Sequence, residues 1–220
     1  METKTVSTEA GGRKILDRKT AGKMLFAFVL MLCFRGIVAD NPGTSWRNGN
    51  AFVALKIDKT VVAWGDTDNG GSAPAGLTDV QTIYSTDNAF AALKTDGSVV
   101  TWGDPTNGGT APNGLSDVQT IYSTYSAFAA LKADGTVVTW GNSMFGGTAP
   151  SSGLHDVQTI YSTDSAFAAL KANGTVVAWG DTDNGGSAPN GLSDVQTIYS
   201  NCCAFAALKT DGTVVAWGSF

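Results

Sequence analysis

Side chains capable of chemistry are few in this 220-residue chain, and their spacing is uninviting for catalysis. The single histidine, His155, falls in a linker whose counterparts elsewhere in the chain carry Thr78, Ser116 and Ser193. No serine, cysteine or carboxylate stands at a spacing that would build a nucleophile, and no glycine loop is shaped to cradle a phosphate. Asp66-Thr67-Asp68-Asn69-Gly70 and Asp181-Thr182-Asp183-Asn184-Gly185 alternate oxygen ligands ahead of a glycine, as a tight cation loop requires. On that spacing alone Asp66, Asp68, Asp181 and Asp183 are calcium candidates. No Glu closes either loop, and Asp/Asn/Gly clusters are also ordinary turn chemistry. Cys202-Cys203 is a vicinal pair, which rarely bridges to itself without strain. Free thiols in one drifted turn, or a bridge to another molecule, are the two readings left. Asn173-Gly174-Thr175 is a glycosylation sequon on a turn. These residues predict no enzyme and no cofactor.

Charge divides the chain in two. Residues 1–39 carry seven Lys/Arg against three acids, whereas residues 40–220 carry seven against sixteen, all of them Asp. Glu favours helix interiors and Asp favours turns and caps, so the absence of Glu after Glu9 argues against a helical body. The acidic balance also argues against a nucleic-acid surface. Within the basic segment, Met24–Phe34 is an uninterrupted apolar run of eleven residues, short of the roughly 20 needed to span a bilayer. It fits the hydrophobic region of a secretory signal ending near Ala39, or an uncleaved signal-anchor. Either route predicts that 40–220 lies outside the cytosol, secreted or membrane-anchored, with the membrane met only through this segment.

The remainder is a repeat. Trp64, Trp102, Trp140, Trp179 and Trp217 recur at intervals of 38, 38, 39 and 38, each closing a unit such as AFAALKTDGSVVTWG at 89–103. Asp96-Gly97 between Ala89–Lys94 and Ser98–Trp102 predicts a tight hairpin. Asp79–Ser85 predicts a third strand, with Val80, Thr82 and Tyr84 alternating against Gln81, Ile83 and Ser85. The 70–74 stretch holds at most a short edge strand, because Pro74 cannot donate to a ladder. Three strands and a marginal fourth in about 38 residues match the length of a propeller blade.

The recurring Ala-Leu-Lys-x-Asp-Gly-x-Val-Val-x-Trp-Gly, then Asp-x-x-x-Gly-x-x-x-Pro, then Gly-Leu-x-Asp-Val-Gln-x-Ile, resembles the repeat of the regulator of chromosome condensation family, in the form carried by β-lactamase inhibitor protein II. The resemblance runs from about Asn50 to Gly218 and implies an all-β fold, a β-propeller; the family builds seven blades. There are departures. The family's Gly and His-Ser ahead of the Ala-Leu strand are replaced by Thr86-Asp87-Asn88-Ala89-Phe90 and its counterparts. Its Gln after the loop glycine is Gly71, Gly109, Gly147 or Gly186. Activity resting on those positions does not carry over. With five hairpins, four complete DVQTIYS strands and a worn remnant at Thr44-Ser45-Trp46, the array reads as an open arc or a fragment in preference to a small closed ring. An arc leaves blade edges unpaired, which invites self-association.

Up-and-down blades place the strand 1–2 and strand 3–4 connections on one face and the Asp-Gly turns on the other. The Asp-Gly turns are nearly uniform between repeats, and the opposite loops vary. That variable face is the candidate interface, with Tyr125, Met144 and Phe145 as its central patch and Asp87 and Asp164 beside them. Exposed aromatics and methionine are enriched in interface cores; inward folding of Met144 and Phe145 over the blade end is the competing reading. The expectation is an exported, non-enzymatic scaffold for a protein partner. A carbohydrate-binding or surface-coat protein, a nucleotide-exchange factor for a small GTPase, and a β-lactamase-type inhibitor are the alternatives.

Overall fold

The computed structural model describes residues 48–219. The expected leader at 1–39 and the Thr44-Ser45-Trp46 remnant lie outside the described residues. Apart from two single 3-10 turns, Pro105–Asn107 and Ser143–Phe145, the regular structure described is all β. Unit 1 comprises β1 (Ala51–Leu55) and β2 (Val61–Gly65). Unit 2 comprises β3 (Val80–Ser85), β4 (Ala89–Lys94) and β5 (Val99–Gly103). Unit 3 follows with β6 (Val118–Ser123), β7 (Ala127–Lys132) and β8 (Val137–Gly141). Unit 4 holds β9 (Val157–Ser162), β10 (Ala166–Lys171) and β11 (Val176–Gly180). Unit 5 holds β12 (Val195–Ser200), β13 (Ala204–Lys209) and β14 (Val214–Gly218). Each unit is a separate antiparallel sheet, in strand order along the chain.

The hairpins form where the Asp-Gly turns place them. Phe90 faces Trp102 across β4 and β5, and Phe128 faces Trp140 across β7 and β8. In unit 2 the turn is closed by Asp96, whose Oδ1 accepts from Ser98 N at 2.9 Å and from Ser98 Oγ at 2.6 Å. The strict alternation expected of Asp79–Ser85 does not hold. Register shifts between Val80 and Thr82, so Val80 and Ile83 pack into the same cluster while Tyr84 packs into another. Such a bulge adds one residue to one side of the ladder and reverses the facing that follows. Nor does an outer strand form near 70–74. The return segment is fastened by side chains, as where Thr101 Oγ1 accepts from Ala111 N at 2.9 Å.

The core lies between sheets, in four clusters that join consecutive units. Between units 2 and 3, Ala89, Ala91 and Leu93 meet Ile121, Phe128 and Trp140. Alanines on one face allow close approach by the large side chains of the next sheet. Each fully buried Phe contributes about 2–3 kcal/mol by removal of apolar surface from water. In units 2 to 5 the Phe–Trp pair, such as Phe128–Trp140 with ring centroids 5.3 Å apart, lies under the loop of the preceding unit. There the indole N–H of Trp102, Trp140, Trp179 and Trp217 donates to the carbonyl of Gly70, Gly108, Gly146 and Gly185, at 2.9 to 3.0 Å. A Cβ on Gly70 would sit 2.6 Å from the Phe90 ring, so the contact requires glycine.

The array is an open arc. The Phe52–Trp64 pair of unit 1 is 58% and 49% exposed, and Tyr199 and Val214 of unit 5 are 56% and 63% exposed. Their counterparts inside the array are buried or half-buried, so the described end units do not cover one another.

Candidate functional site

Because β3 and β5 run in one direction and β4 in the other, the turn after β3 and the loop after β5 share a face. Asp104 N donates to Asn88 O at 2.9 Å there, and Asn142 N to Ser126 O at 2.9 Å in unit 3. Beneath these loops lies a threonine with no exposed surface, Thr86, Thr124 or Thr163 in units 2 to 4. Its hydroxyl donates to a carbonyl of the second loop, that of Asn107, Phe145 or Asn184, at 2.9 to 3.0 Å. Thr124 therefore fastens the Tyr125 turn to the Phe145 loop.

A second arrangement crosses the units. Gly49 N donates to Asp87 O at 3.2 Å, Asp87 N to Tyr125 O at 3.0 Å, Tyr125 N to Asp164 O at 2.8 Å, and Asp164 N to Cys202 O at 2.8 Å. The turn tips of all five units are thus joined in one head-to-tail main-chain row. The row brings Asp87, Tyr125, Asp164 and Cys202 side by side, although they are about a full repeat apart in sequence. Side chains add to it: Tyr125 Oη donates to Asp87 Oδ2 at 2.9 Å.

Tyr125 and Phe145 meet on this face, and Met144 precedes Phe145 in the same 3-10 turn. The Tyr125 and Phe145 rings lie 5.9 Å apart, tilted by 34°. Phe145 is half-buried against the cluster between units 3 and 4, whereas Met144 is 72% exposed. Inward folding thus describes Phe145 and not Met144. The 3-10 turn is set by Asn142, whose Oδ1 accepts from Met144 N at 3.0 Å.

Electrostatics follow the same contacts. The hydrogen bond to Asp87 raises the Tyr125 phenol above its ordinary value, helped by partial burial and by the Asp87 charge. Burial raises the Asp164 carboxyl. Cys203 is pushed up to about 11, first by its hydrogen bond with Cys202 and then by desolvation and nearby negative charge. Both cysteines are free thiols.

The Asp66 and Asp181 loops use their carboxylates as turn acceptors. Asp66 Oδ1 accepts from Asp68 N at 3.0 Å and its Oδ2 from Asn69 Nδ2 at 3.0 Å. Asp181 does the same with Asp183 N and Asn184 Nδ2, each at 2.9 Å. Among the described residues no group of three or more His, Cys, Asp or Glu side chains could hold a metal ion. His155 is exposed on the opposite face, with Nδ1 2.7 Å from Asp156 Oδ2. Its counterparts Thr78, Ser116 and Ser193 donate a hydroxyl to the following Asp at 2.8 to 2.9 Å, so His155 occupies a turn-fastening position. Asn173 stands on that same face, its Oδ1 accepting from Thr175 Oγ1 at 2.6 Å.

The main-chain row was not legible in the sequence, since it depends on how far each blade rotates from the next. The buried threonines left a signal in the repetition of Thr at 86, 124 and 163.

No family model matches the chain, and no curated protein matches it. Solved structures do. The ectodomain of the receptor kinase CR4 from Physcomitrella patens superposes with a TM-score of 0.54 and 19% identity, over 79% of this chain and 49% of that one. Yeast RCC1 (Prp20), solved with Kap60 bound, gives 0.51 and 18% over 79% and 55%. The CRINKLY WD40 ectodomain of ACR4 from Arabidopsis thaliana gives 0.51 and 18% over 78% and 63%. The chain therefore spans about half to three-fifths of the length of these structures. At such identities the likeness establishes the β-propeller repeat fold.

Proposed function

We propose that this chain is a non-enzymatic repeat scaffold that holds a protein partner on its variable loop face, and that it works outside the cytosol. The observation that carries the reading is the exposed Met144 standing beside the Tyr125–Phe145 ring pair, on turns locked together across unit boundaries. A rigid apolar and aromatic patch with Asp87 and Asp164 at its edge has the composition of an interface core with a polar rim. Yeast RCC1, which shares the fold, was captured with a bound protein, Kap60. Export is supported by the basic and apolar character of residues 1–39.

The test is affinity capture from the producing organism with the full chain, its Tyr125→Ala and Met144→Ala variants, and Thr136→Ala on the opposite face. One partner held by the parent and by Thr136→Ala, and weakened about tenfold or more by the other two, is the expected result. A partner retained equally by all four would sink the loop-face assignment, and recovery of an uncleaved chain from the cytosol would sink the location.

A further inference from the structure

The two ends of the described arc carry hairpin faces of the kind that meet at its four described internal boundaries. Within the array, the forward face of each unit receives the backward face of the next. At the junction of units 4 and 5 the forward face includes Tyr161, Leu170 and Val176, and the backward face includes Phe205, Val215 and Trp217. Unit 5 presents the matching forward residues Tyr199, Leu208 and Val214. Unit 1 presents the matching backward residues Phe52, Val62 and Trp64. The contrast in exposure is large: Phe205 is 1% exposed where Phe52 is 58%, and Tyr161 is 6% where Tyr199 is 56%. None of the six is charged, and Ala206 and Ala54 stand between them at positions where inner units bring sheets together.

We propose that a second copy of this chain docks head-to-tail, the backward face of its unit 1 on the forward face of unit 5. The occupant is a copy of the same chain because the contact continues the hairpin part of an interface repeated at every internal boundary: Phe52, Ala54, Val62 and Trp64 stand where Phe205, Ala207, Val215 and Trp217 stand in unit 5. It is independent of the loop face. Such a contact is heterologous: one patch meets a different patch, so copies either close into a ring or extend.

The test uses the full chain with Val62→Glu, which blocks one end, and Val214→Glu, which blocks the other. Both positions are exposed, and unchanged circular dichroism and melting temperature confirm folding. In sedimentation equilibrium the parent mass should rise with concentration beyond 22.7 kDa, and each variant alone should remain monomeric. An equimolar mixture should give a 1:1 heterodimer and nothing larger, because one intact head meets one intact tail. A monomeric parent at every concentration overturns the proposal. So does association that survives both substitutions, which would assign it to residues before Asn48. Self-association of either variant alone would instead indicate like faces pairing, and overturns it equally.

Discussion

The Tyr125 phenol donates to Asp87 Oδ2 at 2.9 Å, bridging units 2 and 3 beside the main-chain bond from Asp87 N to Tyr125 O. Two separate turns are thereby held in one orientation by a side-chain pair and a backbone pair together. The contact stabilises the neutral phenol, so Tyr125 should ionise above its ordinary value of 10.0. The sign follows from linkage: a raised folded value gives stability that is full below the unfolded value and is lost as pH rises through the folded one. Asp87→Asn should bring the midpoint back down, because it removes both the carboxylate acceptor and its charge. Titration of the Tyr125 ring carbon by NMR reads this directly. A midpoint indifferent to Asp87→Asn would show that the bond does not persist in solution.

The hairpin turns make a graded prediction about glycine. Gly135 has φ +77°, and a Cβ there would lie 3.3 Å from Asp156 Cα at the start of the next unit. Gly212 has φ +84° with nothing within 4 Å. Both alanine variants carry the left-handed backbone penalty of about 1–2 kcal/mol, and Gly135→Ala adds crowding at a unit boundary. Gly135→Ala should therefore be the less stable of the two by chemical denaturation. Unit 1 supplies the reverse case, since Lys59 occupies the glycine position at φ +63°. Lys59→Gly should raise stability by about 1 kcal/mol by relieving that strain. Equal losses at Gly135 and Gly212 would remove the boundary contact from the explanation.

The fold was legible because its signals are local and repeated. Asp96-Gly97 marks one turn, Trp102 one strand end, and the 38-residue interval says that the same unit recurs. The convergence of Tyr125 with Phe145 was legible too, since both positions fall on the same side of an up-and-down sheet. What escaped was set by relations between units. The register shift after Val80 moves Ile83 onto the face expected for Thr82, a change that no alternation of residue types announces. The main-chain row from Gly49 to Cys202 carries no side-chain signature at all, because backbone groups make it. The outer strand failed for a reason visible at Pro74, and its replacement by side-chain fastening rests on contacts such as Ala111 N to Thr101 Oγ1, ten residues apart, which no local pattern announces.

Acid provides the sharpest test of the turns. Asp58, Asp96, Asp134 and Asp211 are all held below the ordinary carboxylate value of 3.8, first by a side-chain hydroxyl two residues on and then by the backbone N–H of the same residue. A depressed folded value gives stability that is present above the unfolded value and is lost as pH falls through the folded one. The parent chain should thus lose stability progressively below about pH 4. Unit 4 shows that the charge is dispensable to the geometry: Asn173 Oδ1 accepts from Thr175 N at 3.1 Å and from Thr175 Oγ1 at 2.6 Å. A chain carrying Asp96→Asn, Asp134→Asn and Asp211→Asn should keep its turns and show a flatter acid limb in denaturation midpoints measured against pH. All four carboxylates are solvent-facing, so high salt should leave the hydrogen-bonded part of the effect in place while screening the contribution of Lys94, 3.9 Å from Asp96. An acid limb identical in the parent and the triple variant would move the origin of acid sensitivity away from these turns, to carboxylates such as Asp104 that also accept hydrogen bonds in the loop face.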